Sequence, residues 1–150
     1  MDQSPALDLE VRRVVYDVTM RRGCPPAVAD LASALDIPTE EARSALQRLA
    51  AARALVLQPA SGEILMANPF SAVPTPFLVK TTSYECYGNC IWDALGIPAM
   101  LNQDAYIRTA CGDCGLALEL SVVDGQVQGD PSVIHFAIPA HYWWDDIVFN

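Results

Sequence analysis

Apolar side chains recur at helical spacing through the first part of the chain. Over residues 8–22 they lie three or four positions apart with arginines between them, which predicts an amphipathic helix that ends at Gly23. Residues 27–35 repeat the pattern in a shorter form. Thr39 is placed to cap a third helix that runs to about Ala52.

The pattern then changes to short apolar runs broken by turn residues. Residues 54–57 and 63–66 predict two strands around the turn 59–62. Three helices and a hairpin make a winged-helix pattern. Prolines at 69, 74 and 76 forbid a regular helix in the segment that follows, so residues 69–77 are expected to cross in extended form between a first lobe, 1–68, and a second lobe, 78–150.

The second lobe predicts an antiparallel or mixed sheet with one helix against it. Residues 77–84 are expected to be extended and residues 92–101 to form the helix. Asp124-Gly125 is a strong hairpin signal. The predicted strands are 105–109, 117–123, 126–128 and 134–138. The predicted fold class is therefore α+β.

The charge balance excludes some partners. The formal net charge of −9 at pH 7 disfavours binding to nucleic acid, because phosphate recognition depends on Lys and Arg. The N-terminal residues carry acids where a signal peptide would be basic, and no apolar run is long enough to span a membrane. We expect a soluble, cytoplasmic protein.

Five cysteines make an odd count in a chain expected to stay in a reducing compartment, so free thiols are predicted rather than a disulfide framework. Cys90 and Asp93 are the pair most suggestive of chemistry. Three residues apart at a helix start, they would share one face. The helix N-terminus would favour the thiolate of Cys90 and lower its pKa, and the carboxylate of Asp93 would move a proton.

The surrounding residues 88–100, GNCIWDALGIPAM, resemble the catalytic segment of the organomercurial (alkylmercury) lyase family. The resemblance implies an N-terminal winged-helix-like lobe, a crossing segment and a C-terminal mixed sheet. It also implies cleavage of a carbon–mercury bond by protonolysis, without an organic cofactor. Cys90 would be the first thiol on mercury and Asp93 the proton carrier, with external thiols removing the product ion.

The family's second mercury-binding thiol has no counterpart. The resemblance places it late, at a position that corresponds roughly to Asn150. Either the chain has been shortened, or a neighbouring cysteine has been lost, or another thiol has replaced it. Cys111, Cys114 and Cys86 are the candidates for such a replacement.

The same cysteines also fit a different site. Cys111 and Cys114 form a Cys-x-x-Cys turn with glycines, and with Cys86 and Cys90 they have the two-pair spacing of a four-sulfur zinc site. Simple reduced cysteines in a turn are the plainer interpretation. Cys24 is expected to be structural.

Two histidines stand near the C-terminus. His135 lies in an apolar run and is expected to be a surface or satisfied histidine. His141 is followed by Tyr142, Trp143 and Trp144, and this aromatic cluster could line an apolar pocket as well as a core.

Four functional hypotheses follow. The first is an organomercurial-lyase-like protein that acts through Cys90 and Asp93 on a small-molecule substrate. The second is a thiol protein that binds zinc, mercury or another soft ion for storage, sensing or structure. The third is a diverted lyase or cyclase acting on a small organic substrate. The fourth is a winged-helix regulator in which arginines of the third helix read DNA.

Overall fold

The structure is a computed structural model that describes residues 4–129 and 131–148. The first three helices are α1 (Ser4–Arg22), α2 (Val28–Leu35) and α3 (Thr39–Ala51), and the fourth, α4 (Ile91–Leu101), lies in the second half. A 3₁₀ helix spans Ala140–Asp145. The strands are β1 (Val56–Leu57), β2 (Ile64–Ala67), β3 (Phe70–Ser71), β4 (Leu78–Thr81), β5 (Glu85–Gly88), β6 (Ala105–Ala110), β7 (Ala117–Val123) and β8 (Gln126–Gly129).

Within the described residues the strands form one antiparallel sheet in the order β1-β2-β3-β5-β4-β6-β7-β8. Neighbouring strands pair in register, for example Val79 with Cys86 on one side and with Ile107 on the other. The sheet and four helices confirm the predicted α+β class. The winged-helix assignment of the first three helices and the β1–β2 hairpin stays a prediction.

Two groups of buried side chains lie along this sheet. The first joins α1, α2 and α3 to β1 and β2, with Leu31 and Leu46 at its centre. The second joins α4 to β3 through β7, with Phe70 and Ile97 fully buried. The sheet passes from one group to the other through β3, which lies in the predicted crossing segment. The boundaries 1–68, 69–77 and 78–150 therefore stay a prediction.

Helix α1 is fastened to the second half of the molecule. Gly23 follows it with a φ of +75° and donates its amide to the carbonyl of Thr19 at 2.7 Å, as predicted for a helix stop. A Cβ at this glycine would lie 2.6 Å from the ring of Tyr84. The Tyr84 hydroxyl in turn donates to the carbonyl of Met20 at 2.7 Å. The close approach of α1 to β5 thus depends on a glycine.

Most elements were predicted within a residue or two, and the cap of α3 is wrong. Thr39 does not cap α3. It is the first residue of the helix, and the carbonyl of Pro38 accepts the amides of Glu41 and Ala42 at 3.0 and 3.1 Å. The Asp124-Gly125 hairpin is confirmed, because both residues have the positive φ that a two-residue turn of this type requires.

The predicted strand 134–138 is also wrong. Residues 131–138 pair with no strand of the described structure, and Val133 is 91% exposed. Instead the Phe136 ring packs on Trp143 with centroids 5.0 Å apart. The Trp143 indole donates to the carbonyl of Ile138 at 2.8 Å. Phe136 and the Ile138 carbonyl therefore contact the 3₁₀ helix, and the segment forms no ladder with a strand of the described structure.

The run 77–84 predicted as extended holds one strand, β4, followed by a turn, and β5 beyond it was not predicted. Strand β4 ends at Thr81, whose hydroxyl accepts the amides of Ser83 and Tyr84 at 3.2 Å and donates to the carbonyl of Tyr84 at 3.0 Å. These contacts build the turn into β5, the strand that leads to Cys90. No helix among the described residues has the length and apolarity to cross a membrane.

Candidate functional site

Strand β5 and helix α4 place the predicted pair. Cys90 stands between them with an extended backbone (φ −143°), and α4 begins at the next residue. Gly88 closes β5 against this helix start, because a Cβ there would lie 2.6 Å from the amide nitrogen of Ala94. The Gly88 amide donates to the carbonyl of Phe77 at 3.0 Å. The position of Cys90 is thus set by the contact between the strand and the helix.

Cys90 and Asp93 line one cavity of about 430 Å³. Met66 and Asn68, at the end of β2, form another part of its wall. Three aromatic side chains, Phe136, Trp143 and Trp144, contribute from the C-terminal segment. The cavity is therefore mainly apolar, with a thiol and a carboxyl group on one side.

The thiol and the carboxyl group interact directly. Burial raises the pKa of Cys90 above its usual value, the amides of Asp93 and Trp92 act in the opposite direction, and the Asp93 carboxylate raises it further. Burial also raises the pKa of Asp93, against the donors of Asn89 and the Cys90 thiol. The expectation of a lowered Cys90 pKa is wrong, because burial outweighs the helix N-terminus.

Asn89 is the main polar neighbour of Asp93. Its Nδ2 donates to Asp93 Oδ2 at 3.0 Å, to Asn68 Oδ1 at 3.0 Å and to the carbonyl of Pro69 at 3.3 Å. Three oxygens around one nitrogen fix the orientation of the amide. Its Oδ1 is buried and accepts no hydrogen bond from the described residues.

Helix α1 reaches the same network through Tyr16. The Tyr16 hydroxyl donates to the carbonyl of Asn68 at 3.1 Å. Burial raises the pKa of Tyr16, Arg12 lowers it, and the carboxylate of Asp93 raises it. The phenol therefore stands in the electrostatic field of Asp93. Sequence reasoning missed Tyr16, Asn68 and Asn89, and adjacency to Cys90 was the only signal for Asn89.

The other predicted thiols lie elsewhere. Cys86 is 2% exposed in the core of the second half, and burial raises its pKa to about 12. Cys111 and Cys114 lie in the loop between β6 and β7, and neither lines the Cys90 cavity. Cys24 is an exposed free thiol near the end of α1.

The four-sulfur zinc site is not assembled. Among residues 4–129 and 131–148 no three metal-ligating side chains come together. Cys86 and Ile107 both pair with Val79, so they lie at the same height in the sheet. Cys111 lies four residues further along the chain than Ile107. At about 3.3 Å per strand residue this separation is roughly 13 Å along the sheet.

Of the two histidines, the one expected at the surface lines the cavity, and the one expected near a pocket does not. His135 lines the cavity, although its sequence context suggested only a surface or satisfied residue. His141 stacks on Tyr142 with ring centroids 3.9 Å apart and does not line the cavity. Trp143 and Trp144 do line it, so the predicted pocket for the aromatic cluster exists.

Comparison with protein families adds a decisive observation. The alkylmercury lyase (MerB) family matches residues 70–149, just over half of the chain. The chain belongs to the alkylmercury lyase family. The matched region of this family member contains β4, β5, α4 and the residues Cys90 and Asp93.

Solved structures agree on the fold. Ten chains match significantly, among them the crystal structure of the mercury-bound form of MerB2, with a TM-score of 0.64 and 21% sequence identity. The match covers 85% of this alkylmercury lyase family member and 59% of the MerB2 chain. Comparison with curated protein sequences yields no significant match.

Proposed function

We propose that this protein cleaves the carbon–mercury bond of small organomercurials by protonolysis, with Cys90 as the sulfur that takes mercury and Asp93 as the proton carrier. The observation that carries the proposal is the contact between the Cys90 thiol and the Asp93 carboxyl group in one cavity. Membership of the alkylmercury lyase family supports it.

The raised pKa of both groups suits this reaction. The thiol of Cys90 keeps its proton until a soft electrophile approaches, because burial disfavours the free thiolate. When mercury binds the sulfur, the proton passes to Asp93, which holds protons more tightly than an ordinary carboxylate. Asp93 then gives this proton to the carbon as the carbon–mercury bond breaks. The S–H and C–Hg bonds are exchanged for S–Hg and C–H bonds, and no organic cofactor takes part.

The apolar walls suit the organic part of the substrate. Phe136, Trp143 and Trp144 offer aromatic surface in the same cavity as the thiol. A cavity of about 430 Å³ has room for an alkyl or aryl group beside the sulfur. The substrate class is therefore an alkyl- or arylmercury cation carried on a small thiol.

We infer that a solution thiol supplies the second sulfur on mercury. Among the described residues Cys90 is the only cysteine that lines the cavity. Mercury is soft and prefers thiolate sulfur, so a small thiol entering with the substrate completes its coordination. The same thiol would then carry the ion out of the cavity.

The test is hydrocarbon release from phenylmercury by the reduced protein, followed as benzene in the headspace. We expect turnover that requires excess small thiol. Cys90→Ser should abolish release and Asp93→Asn should slow it by about 10²–10⁴-fold, the usual contribution of a positioned acid or base. Cys24→Ser is the matched control and should leave the rate unchanged.

Two results would separate the parts of the proposal. No benzene from the wild-type protein with excess thiol overturns the lyase activity. A full single turnover with no added thiol, together with tight retention of mercury, overturns the solution thiol as second ligand. A cysteine encoded directly after residue 150 would then be the first candidate for the missing sulfur.

A further inference from the structure

The loop between β6 and β7 brings two thiols together outside the cavity. It contains Cys111-Gly112-Asp113-Cys114-Gly115. The Cys111 amide donates to the carbonyl of Leu116 at 2.8 Å, and the Gly115 amide donates to the carbonyl of Cys111 at 2.9 Å. Gly115 has a φ of +72°, which glycine adopts without strain. These bonds hold the loop in a tight turn.

The two sulfurs of this turn are neighbours. The thiol and amide of Cys114 and the amide of Asp113 lie near enough to the Cys111 sulfur to lower its pKa. Both cysteines are free, and Cys114 is exposed to solvent. The turn thus presents a pair of adjacent thiols at the surface, with amide donors that favour negative charge on one of them.

The number of ligands selects the kind of ion. Among the described residues no third histidine, cysteine or carboxylate joins the pair. A structural zinc site requires four ligands in tetrahedral arrangement, so the loop alone supplies only half of one. A soft ion that bonds linearly to two sulfurs needs no more than this pair.

We propose that Cys111 and Cys114 form a second thiol site that holds one soft, two-coordinate ion such as mercury(II) between their sulfurs. Binding replaces the two sulfur-bound protons with one ion, so two protons leave and no electron is transferred. Because the sulfurs share one turn, the second bond forms at the roughly millimolar effective concentration of a short linkage.

The site is independent of the lyase reaction, so its test uses the Cys90→Ser variant, in which the cavity thiol is absent. The reduced protein is loaded with mercury(II), treated with glutathione well below millimolar concentration, desalted and analysed for mercury per chain. Mercury on a single thiol should be lost to glutathione, whereas mercury on the pair should be retained. We expect about one ion per chain and a new sulfur-to-mercury absorption band.

Matched variants complete the design. In the Cys90→Ser background, Cys111→Ser and Cys114→Ser should each abolish retention, and Cys24→Ser should leave it unchanged. Both loop positions are partly or fully exposed, so the serine variants should fold, which circular dichroism checks. Retention that survives Cys111→Ser or Cys114→Ser overturns the proposal.

Two further outcomes bear on the geometry. One ion for every two chains, with a dimer on gel filtration, would mean that mercury bridges copies and would overturn a site within one loop. Zinc retained as tightly as mercury under the same treatment would overturn the two-coordinate assignment. Loss of phenylmercury cleavage with an intact loop site would affect only the lyase proposal.

Discussion

Cysteines of this protein differ in their surroundings far more than in their sequence context. Burial raises the pKa of Cys90, while the amides of Cys114 and Asp113 and the thiol of Cys114 lower the pKa of Cys111, which is partly exposed. Cys86 is so deeply buried that its pKa rises to about 12. Burial thus keeps the thiol of Cys90 protonated, Cys111 is accessible to ligands, and Cys86 is a core side chain.

This contrast predicts the order in which the thiols react. Alkylation requires the thiolate, so the rate at Cys90 should rise with pH around a midpoint above that of an ordinary cysteine, and Cys111 should show a midpoint below it. Asp93→Asn should lower the Cys90 midpoint, because the carboxylate contributes to raising it. Iodoacetamide labelling across pH with peptide mass spectrometry measures all three. A Cys90 midpoint at or below that of Cys111 contradicts the prediction.

Asn89 should control the proton affinity of Asp93. Its side-chain donor lowers the pKa of that carboxyl group, so Asn89→Ala should raise it further. The acid limb of the pH–rate profile should then move to higher pH, and the rate at neutral pH should fall roughly tenfold, or about 1.4 kcal/mol.

The matched control for this variant is Gln103→Ala, an amide that accepts a hydrogen bond from Thr82 and lies outside the cavity lining. It should leave the profile in place. An Asn89→Ala enzyme with an unshifted acid limb would mean that Asn89 acts on folding alone.

At this scale the three-residue spacing at a helix start was sufficient to predict that Cys90 and Asp93 lie together, while their roles stay a prediction. It was insufficient for Asn68 and Tyr16. They are 21 and 73 residues away from Asn89 in the chain, and Asn68 contacts both Asn89 and Tyr16 only in the folded structure. Their role depends on tertiary contacts that no local pattern contains.

Among the elements, the β5–α4 junction determines the site. Gly88 ends the strand in contact with the backbone of Ala94, and Thr75 donates its hydroxyl to the Gly88 carbonyl at 2.6 Å. Helix α4 ends at Asn102, which has a left-handed φ of 51°. The helix is therefore positioned at its start by a steric contact and terminated by a change of backbone conformation.

A methyl group at Gly88 should displace the start of α4. Gly88→Ala places a Cβ 2.6 Å from the Ala94 nitrogen, which cannot move as a side-chain tip would. We expect a loss of about 1–3 kcal/mol in the free energy of unfolding, as for overpacking of a core, and a larger proportional loss of lyase rate.

Gly112→Ala is the matched substitution, since a Cβ there meets nothing within 4 Å. It should change stability by less than about 0.5 kcal/mol. Urea unfolding of both variants decides the matter, and equal midpoints would contradict the steric argument.

Elements with strong periodicity were predicted well, and short ones were not. Strand β5 is only four residues long and is formed by pairing with β3 and β4, so it lay beyond the predicted run 77–84 and was not predicted. Residues 134–138 have a strand-like alternation, yet Phe136 packs on Trp143 instead of facing a neighbouring strand. In both places the deciding interactions join residues through tertiary contact rather than through local preference.

Across the whole molecule, arginines that a DNA-reading helix would need are engaged internally. Arg48 forms a paired contact with Asp8 of α1 at 2.6–3.0 Å. Arg43 donates to the carbonyl of Ser61 at 2.9 Å. Arg53 lies over the ring of Trp144 at 5.6 Å.

With these arginines occupied and a net charge of −9, we expect no mobility shift of DNA from the gene's own promoter, even at low salt. A specific shift that weakens steeply with salt would contradict this expectation and favour the regulator hypothesis.

The contact between α1 and β5 should matter for stability. Tyr84→Phe removes the hydroxyl that donates to the Met20 carbonyl, so we expect a loss of about 1 kcal/mol in the free energy of unfolding. Tyr142→Phe changes a half-exposed ring and should have an effect below about 0.5 kcal/mol. Guanidinium titration compares them, and equal values would show that the α1 contact adds nothing.

The cavity wall draws on both halves of the fold, since Met66 and Asn68 come from β2 and the residue after it, and Cys90 and Asp93 from the junction of β5 and α4. Because the cavity exists only in the folded state, a ligand bound there raises the free energy of unfolding. At a ligand concentration of 100 times Kd this linkage adds about 2.7 kcal/mol, and one continuous sheet would spread that gain over both hydrophobic groups. The melting temperature of the unlabelled protein can therefore report binding of candidate substrates before any product is measured.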